Sequence, residues 1–406
     1  MQCAQSLVHC DSVEPALGRT AVRVAINVRN ANLAIPDGTG ESMRGLVGGL
    51  ARTNPGHDLD LLADAAPRFA IPVDTRIRFR AMSPFVGGNR GLRSAFGGDP
   101  WYRVRVAADG CWRRWDGYVQ SAHEPPPAFG IKARVAIVHD LAFTHRDASS
   151  NFGAAVRSEL DRWTALNVHL ARAIVAVSES VAFDVVRTYG VPRDRVIVAH
   201  HGFDRERFHC NHADPQITAC RWRHGIEQSY LLFVGTIQPR KNIPALVEAV
   251  ARARAAGMSV VLVVAGADGW ESEKSLEAMA RAGPQAVRHL GRVPADDLPL
   301  LMAGAQAFVS VARAEGFGMP ALEAMASGIP VVVTNEGGLA EVVGDAGLHV
   351  DPGSPDEISQ ALMRVIEDTA LRESLITRGL GRAAGFTWDT AARSVWGAIE
   401  QACASC

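Results

Sequence analysis

Two glutamates with seven residues between them, Glu315 and Glu323, bracket the stretch EGFGMPALE. The apolar run AFVSVA (307–312) precedes it and reads as a strand, with Glu323 in the opening turn of a short helix. Pro320 suits the first helical position, and Gly328 the position just past a helix end. The segment is then a strand-to-helix turn. Gly316 and Gly318 let backbone approach a ligand closely, and the amides of Phe317 to Met319 suit a phosphate. A carboxylate repels phosphate, so Glu315 and Glu323 must address neutral donors, for which sugar hydroxyls are the obvious candidates. A nucleotide sugar carries both kinds of group. Glu315 would face its hexose, the loop amides its diphosphate and Glu323 its ribose. The plain alternative is one capping glutamate and one solvated one.

A second set of reactive types lies in FVGTIQPRKNIPAL (233–246). A strand closes at Gly235 and Thr236, a tight turn carries Arg240 and Lys241, and a helix starts near Asn242 or Pro244. Adjacent arginine and lysine beyond a strand can neutralise a leaving diphosphate, one as a planar fork and one as a point charge. Elsewhere such a pair is solvated surface. In VAIVHDLAF (135–143), His139 and Asp140 end another apolar strand, where the histidine can meet a sugar or an acceptor. A structural His–Asp pair that caps the next segment is the alternative. His123, in SAHEPPP, is a weaker candidate, because prolines alone explain a fixed turn. The glycine-rich PDGTGESMRG (36–45) fails the dinucleotide fingerprint, since Met43 stands where its third glycine belongs. Gly38 and Gly40 still allow backbone to approach a diphosphate or acceptor. The acidic pair in DLD (58–60) lies on a strand and is a poor metal site.

These residues need a scaffold that delivers strand ends to one place. Apolar, β-branched runs at 21–28, 58–63, 134–140, 173–179 and 195–202 alternate with helical patterns such as 41–52 and 151–171. The alternation restarts at 230–236, 259–266, 307–312 and 330–334. Continuous apolar strands are buried on both faces, which means parallel sheets covered by helices. The polar, irregular stretch 205–228 separates the halves. The pattern predicts an α/β protein with two Rossmann-like domains and a ligand cleft between them, beyond the carboxyl ends of the strands.

The chain has 406 residues, a formal net charge of −1, 48% hydrophobic and 21% charged residues. That length fits two domains, and the charge speaks against nucleic acid as a partner. Seven scattered cysteines, Cys3, Cys10, Cys111, Cys210, Cys220, Cys403 and Cys406, read as reduced thiols, and the CxxC at 403–406 has no partner pair. No apolar run is long enough to span a bilayer and no signal peptide is evident, so a soluble, cytoplasmic protein is expected. Residues 76–115 hold nine arginines and two acidic residues, Asp99 and Asp109. Phe79, Phe85, Phe96, Trp101, Tyr102, Trp112 and Trp115 are interleaved with them. This is either a solvated basic face or a peripheral contact with anionic lipid at the inner face of the cell membrane.

With these residues in view, the chain resembles glycosyltransferase family 4, retaining enzymes of the GT-B fold. The motifs that carry the resemblance are EGFGMPALEAMASGIPVV, FVGTIQPRKN, HLGRVPADDLPLLMAGAQAFVS, VAIVHDLAF, VAVSES and GFTWDTAARSVWGAI, spread over about 21–402. Bacterial mannosyltransferases of O-antigen and exopolysaccharide assembly, which often use GDP-mannose, look most similar. The resemblance implies an acceptor-binding domain 21–205, a linker 206–228 and a nucleotide-sugar-binding domain 229–386, and the N-terminal extension 1–20 has no counterpart in it. It also implies a helix within 387–406 that crosses back to the first domain. It places Glu315 on the donor hexose, Glu323 on the ribose, Arg240 and Lys241 on the diphosphate, His139 near the transferred sugar and Val293 near the base. Thr236 departs from the many members with arginine there, which puts more weight on Arg240 and Lys241. The function implied is transfer of a hexose, mannose in the first instance, to a lipid-linked or polysaccharide acceptor, with no cofactor beyond the donor and no metal. A UDP-hexose donor, or a non-catalytic sugar-binding subunit, is the alternative.

Overall fold

Short runs such as RVAIN, ARVAIV and VLVVA can bury both faces only inside a layered sheet. The computed structural model, which describes residues 21–34, 36–82, 100–131, 133–144 and 153–404, assembles them into two parallel sheets. The first runs in the order β3-β2-β1-β4-β5-β6-β7. Its strands are β1 (Arg23–Asn27), β2 (Asp58–Ala63), β3 (Ile77–Ala81), β4 (Gly117–Ser121), β5 (Ala133–Val138), β6 (Ala173–Ala176) and β7 (Val196–Val198). The second runs β10-β9-β8-β11-β12-β13. Its strands are β8 (Tyr230–Val234), β9 (Val261–Ala265), β10 (Val287–Gly291), β11 (Ala307–Ser310), β12 (Val331–Thr334) and β13 (Leu348–Val350). Both sheets are Rossmann-like, as expected. Strand order reverses between β1 and β4 in the first and between β8 and β11 in the second, and these crevices are where such sheets receive ligands.

Four strands do not announce themselves in the sequence. β3, β10 and β13 lie on sheet edges, where one flank needs no apolar cover. IRFRA accordingly carries two arginines and VRHLG an arginine and a histidine. β4 is central yet reads GYVQS, because the Gln120 amide is bonded inside the core to Asn167 at 2.7 Å. Several boundaries also differ from the sequence reading. β8 ends at Val234 and β11 at Ser310, two residues before their apolar runs do. The first long helix starts at Gly38, because the Asp37 carboxylate accepts the Gly40 N–H at 2.9 Å and caps it. The stretch 205–228 is not irregular throughout: it contains the helix Asp214–Arg223, which packs against the helix Asp297–Ala303.

A single apolar cluster passes from the first sheet into the second, joining Val138, Phe143 and Val177 to Phe317, Leu322 and Leu339. The helix Trp388–Ala404 leaves the second sheet and packs on the helix Gly38–Arg52. Gly45 and Gly49 have no side chain there because Trp388 fills the space a Cβ would take. Trp396 Nε1 donates to the Leu50 carbonyl at 3.2 Å, and Arg52 pairs with Asp389 at 2.7 Å.

Candidate active site

After β8 the chain forms a single 3-10 turn, Pro239–Lys241. It ends at Asn242, which takes the left-handed conformation at φ 58°. Asparagine tolerates this better than most residues, and here its side-chain amide is also put to use. It donates to the carbonyls of Val311 at 3.2 Å and Pro352 at 2.7 Å. The turn is thereby pinned to the end of β11, its neighbour across the reversal in strand order.

This pinning places Arg240 and Lys241 on Glu315. Arg240 Nη1 donates to Glu315 Oε2 at 3.0 Å and to the Ala314 carbonyl at 3.0 Å, while Arg240 Nε reaches Gln238 Oε1 at 3.2 Å. Lys241 Nζ donates to the same Glu315 oxygen. All three side chains are largely buried. Burial pushes the Glu315 carboxyl up, but Lys241 and Arg240 outweigh it and hold the group below the usual carboxylate range. Burial pulls Lys241 down against the opposing pull of Glu315. Arg240 is raised, because Glu315 and Asp140 overcome the cost of its burial. The sequence reading gave the cations to a diphosphate and a free Glu315 to the hexose. In the structure the carboxylate is in addition the counter-charge of both cations.

His139 and Asp140 follow β5 and meet this cluster from the first domain. A Cβ on Gly316 would collide with the His139 carbonyl oxygen, so only glycine lets the two backbones touch. Asp140 serves two purposes. It accepts the Ala142 N–H at 3.1 Å and so caps the next turn, and its charge acts on Arg240 and Lys241. Burial raises its carboxyl, yet Arg240 brings it below the ordinary value. His139 Nε2 is buried with no hydrogen-bond partner among the described residues. Burial, reinforced by His123, lowers that ring to about 4, so it stands neutral at physiological pH. His123 borders the cluster and acts on the charge of Asp140 and His139. Its Nδ1 is tied to Thr164 Oγ1 at 2.9 Å, which satisfies it structurally.

The EGFG loop runs from β11 to the helix Met319–Ala326. Gly318 lies in the left-handed region at φ 89°, and Phe317 is buried 4.9 Å from the His201 ring. Glu323 is the fifth residue of that eight-residue helix, one residue further in than a start at Pro320 would place it. It is half-buried, and its carboxylate has no hydrogen-bond partner among the described residues. Burial drives it up to about 8, with Glu41 and Asp204 adding to the rise and only Arg207 opposing. Gly235 flanks the Lys241 stem beyond β8, where its Cβ would lie 3.7 Å from Lys241 Cε, and the Thr236 methyl lies against Gly269. Val293, half-buried in the loop after β10, packs on the central apolar cluster. Gly38 is exposed in open space, whereas Gly40 is fixed by the Asn30 carbonyl, 2.5 Å from where its Cβ would be.

At the crevice of the first sheet one carboxylate escaped the sequence reading. Asn27, at the end of β1, donates to Glu124, just beyond β4, across the reversal in strand order of the first sheet. Burial raises Glu124 to about 7 against the pull of Arg29 and Asn30. The signal was its place one residue from His123, behind a strand the sequence does not announce. A cavity of about 550 Å³ lined by His200, Arg378, Arg382, Phe386 and Thr390 involves none of the residues above.

Among the described residues one group has metal-ligating types close together, Cys220, His224 and Asp297. The Asp297 carboxylate already receives Arg223 and, at 2.8 Å, His224, so the cluster ties the helix Asp214–Arg223 to its neighbour. Asp60 of the DLD stretch is likewise committed, to Arg80 at 2.8 Å, Arg23 at 3.3 Å and Trp115 Nε1 at 2.7 Å. Within the described part of 76–115, four arginines meet carboxylates, and Arg90 and Arg93 lie outside the described residues. Arg78 pairs with Asp58, and Arg105 and Arg113 with Asp109, while Arg103 lies over Trp163. Tyr102 and Trp115 are core residues, and Trp112 stands 87% exposed. Phe85, Phe96, Asp99 and the Trp101 side chain lie outside the described residues, as do Cys3, Cys10, Cys406 and the extension 1–20. Among the described residues no helix is long and apolar enough to cross a membrane.

Two family models match the chain. Glycosyltransferase Family 4 matches residues 36–207, and Glycosyl transferases group 1 matches residues 217–382. O-antigen chain mannosyltransferase B of Escherichia coli is 35% identical over 221 residues, covering 54% of this chain and 58% of its own. A D-inositol 3-phosphate glycosyltransferase of Nocardioides is 34% identical over 247 residues, covering 56% and 53%. The chain thus spans little more than half the length of these relatives. Sucrose-phosphate synthase from Thermosynechococcus elongatus superposes with a TM-score of 0.72 at 19% identity, covering 95% of this chain and 100% of that one. Anabaena HepE in complex with UDP-glucose superposes with a TM-score of 0.67 at 18% identity, covering 93% and 99%. With both halves matched by the family's models and both sheets in the GT-B arrangement, the chain belongs to the family 4 glycosyltransferases.

Proposed function

We propose that the protein transfers a hexose from a nucleoside diphosphate sugar to a lipid-linked or polysaccharide acceptor, with retention at the anomeric carbon, and that the hexose is mannose carried by GDP. The observation that carries this reading is the buried Arg240–Lys241–Glu315 cluster, with His139 and Asp140 lying against it from the other domain. Preorganised cations in a water-poor site stabilise the charge that develops on a leaving diphosphate, and the amides of Phe317 to Met319 add to them. Glu315 holds the two cations in register and offers its remaining lone pairs to hexose hydroxyls. Glu323 accepts from the ribose, and the neutral His139 ring offers Nε2 to the transferred sugar. In this scheme no side chain serves as nucleophile. The leaving phosphate takes the acceptor's proton, and Arg240 and Lys241 supply the neutralisation a metal would otherwise give.

The mannose assignment is supported by the O-antigen mannosyltransferase relative. A UDP-hexose donor is the second reading, supported by the shared fold of Anabaena HepE, whose structures hold UDP with glucose and UDP-glucose. We place the protein in the cytoplasm, with Trp112 and the neighbouring Arg114 as its contact with anionic lipid. The test is nucleotide release from GDP-mannose, UDP-glucose and UDP-N-acetylglucosamine by the purified protein, with product anomers read by NMR. Release from GDP-mannose with an α product is expected. Release only from a UDP sugar overturns the base assignment, and no release from any donor favours the non-catalytic sugar-binding subunit.

A further inference from the structure

The two domains meet at a second polar contact, away from Arg240 and Lys241. Glu341 lies near the end of the short helix Gly337–Val343 of the second domain. Its carboxylate accepts the backbone N–H groups of Glu179 at 2.8 Å and Ser180 at 2.9 Å, and bonds His200 Nε2 at 2.7 Å. All three donors belong to the first domain. Glu179 and Ser180 open the helix Glu179–Tyr189, so an acceptor from across the interface satisfies amides that helix cannot bond internally. The cap of that helix, Ser178, donates its hydroxyl to the Gly316 carbonyl at 2.7 Å.

The helix Gly337–Val343 also holds the reactive loop. The Gly338 N–H donates to the Glu315 carbonyl at 3.0 Å, and a Cβ on Gly338 would collide with the Gly316 carbonyl oxygen. Arg382 fixes the other end, donating to the carbonyls of Glu341 and Val342 at 2.6 Å each. One turn of helix therefore grips the EGFG loop at its start and the first domain at its end. Charge-assisted bonds of this kind are shorter and stronger than neutral ones.

We infer that Glu341 is a positioning residue for the transfer, whose carboxylate sets the spacing between His139 of the first domain and Glu315–Gly316 of the second. The kinetic arm of its test rests on the transferase reading, and the geometric arm does not. If the arrangement capable of transfer is populated only in a fraction of molecules, apparent affinity falls by that fraction, and saturating ligand restores the population. Glu341→Ala should therefore raise the Kd for GDP or UDP, and the donor KM, by about tenfold or more, the scale of losing one charge-assisted hydrogen bond. Turnover at saturating donor should stay near the wild-type value. Glu341→Gln, which keeps an amide oxygen for one N–H, should fall between, and Ser178→Ala should move the same quantities in the same direction. Small-angle scattering should show a larger radius of gyration for Glu341→Ala. A merely structural role would lower the melting temperature and leave Kd and scattering as in the wild type. Wild-type Kd and wild-type scattering in folded Glu341→Gln and Ser178→Ala overturn the assignment. If the wild-type protein binds neither nucleotide, the transferase reading fails, and scattering alone decides the role of Glu341.

Discussion

Glu315 and Glu323 belong to one motif with seven residues between them, yet their surroundings are opposite in kind. Glu315 lies in the loop after β11, at the reversal in strand order, where Arg240 and Lys241 converge on one of its oxygens and keep it charged. Glu323 lies on a helix with no partner, and burial pushes it up to about 8, so it carries a proton at neutral pH. The first carboxylate has its partners in the free protein, whereas the second lacks them until a ligand supplies hydroxyls. A buried ion pair is costly to break from one side, and a lone buried carboxyl is costly to keep charged. One glutamate therefore holds the site together, and the other waits to be satisfied.

The contrast is sharpest in stability. Glu315→Ala leaves two buried cations without their hydrogen-bonded counter-charge, with Asp140 alone acting on them, and should destabilise the ligand-free protein by ~3–5 kcal/mol. Glu323→Ala should leave its melting temperature unchanged or higher. Equal losses in a calorimetric scan of both variants would break the comparison. Lys241→Ala should reduce turnover by ~10²–10³, the scale of removing one preorganised charge donor, and initial rates of nucleotide release measure it. Retained turnover in that variant would mean that the lysine only balances Glu315. Glu323→Ala should weaken GDP binding by ~1–3 kcal/mol, because hydroxyls it would have satisfied lose their acceptor. Calorimetry with GDP, which lacks the hexose, isolates that contact.

The smallest effect is a slope. In the unfolded chain Glu323 titrates near ~4.3, and in the folded protein near about 8. Between these values the folded state holds a proton the unfolded state has lost, so this group makes stability fall as pH rises through that window. Glu315 acts with the opposite sign: its folded value is depressed, so its contribution is present above ~4.3 and is lost as pH falls through the folded value. Melting temperature followed from pH 4 to 9 should decline less steeply in Glu323→Gln than in the wild type. Parallel curves would place Glu323 in water.

Much of this was readable from residue order, and the reasons it stopped are specific. Apolar runs that fill both faces of a parallel strand are visible in RVAIN and VLVVA because nothing else produces them. The edge strands IRFRA and LHV are not, since a half-covered strand tolerates arginine and histidine. Arg240, Lys241 and Glu315 were each found by their place beyond a strand. That they touch one another depends on β8 and β11 being neighbours across 72 intervening residues, from Gly235 to Gln306, which follows from strand order and not from any local pattern. His139 was found as a strand-end residue. The absence of a partner for its Nε2 is a property of the folded interior. Glu124 and Glu341 were missed because their significance comes from what faces them.

The packing of Trp388 and Trp396 onto the helix Gly38–Arg52 has a consequence for how the protein is made. The apolar cluster beneath β1 and β2 is completed by side chains that leave the ribosome about two hundred residues after β7 does. At synthesis rates of ~5–20 residues per second, that face of the nascent first domain stays unsealed for on the order of ten seconds or more. Gly45 then awaits the indole of Trp388 and Gly49 its backbone, on a bare strip of helix. A chaperone that covers exposed apolar surface would find its substrate in that interval, and the finished protein would no longer show it.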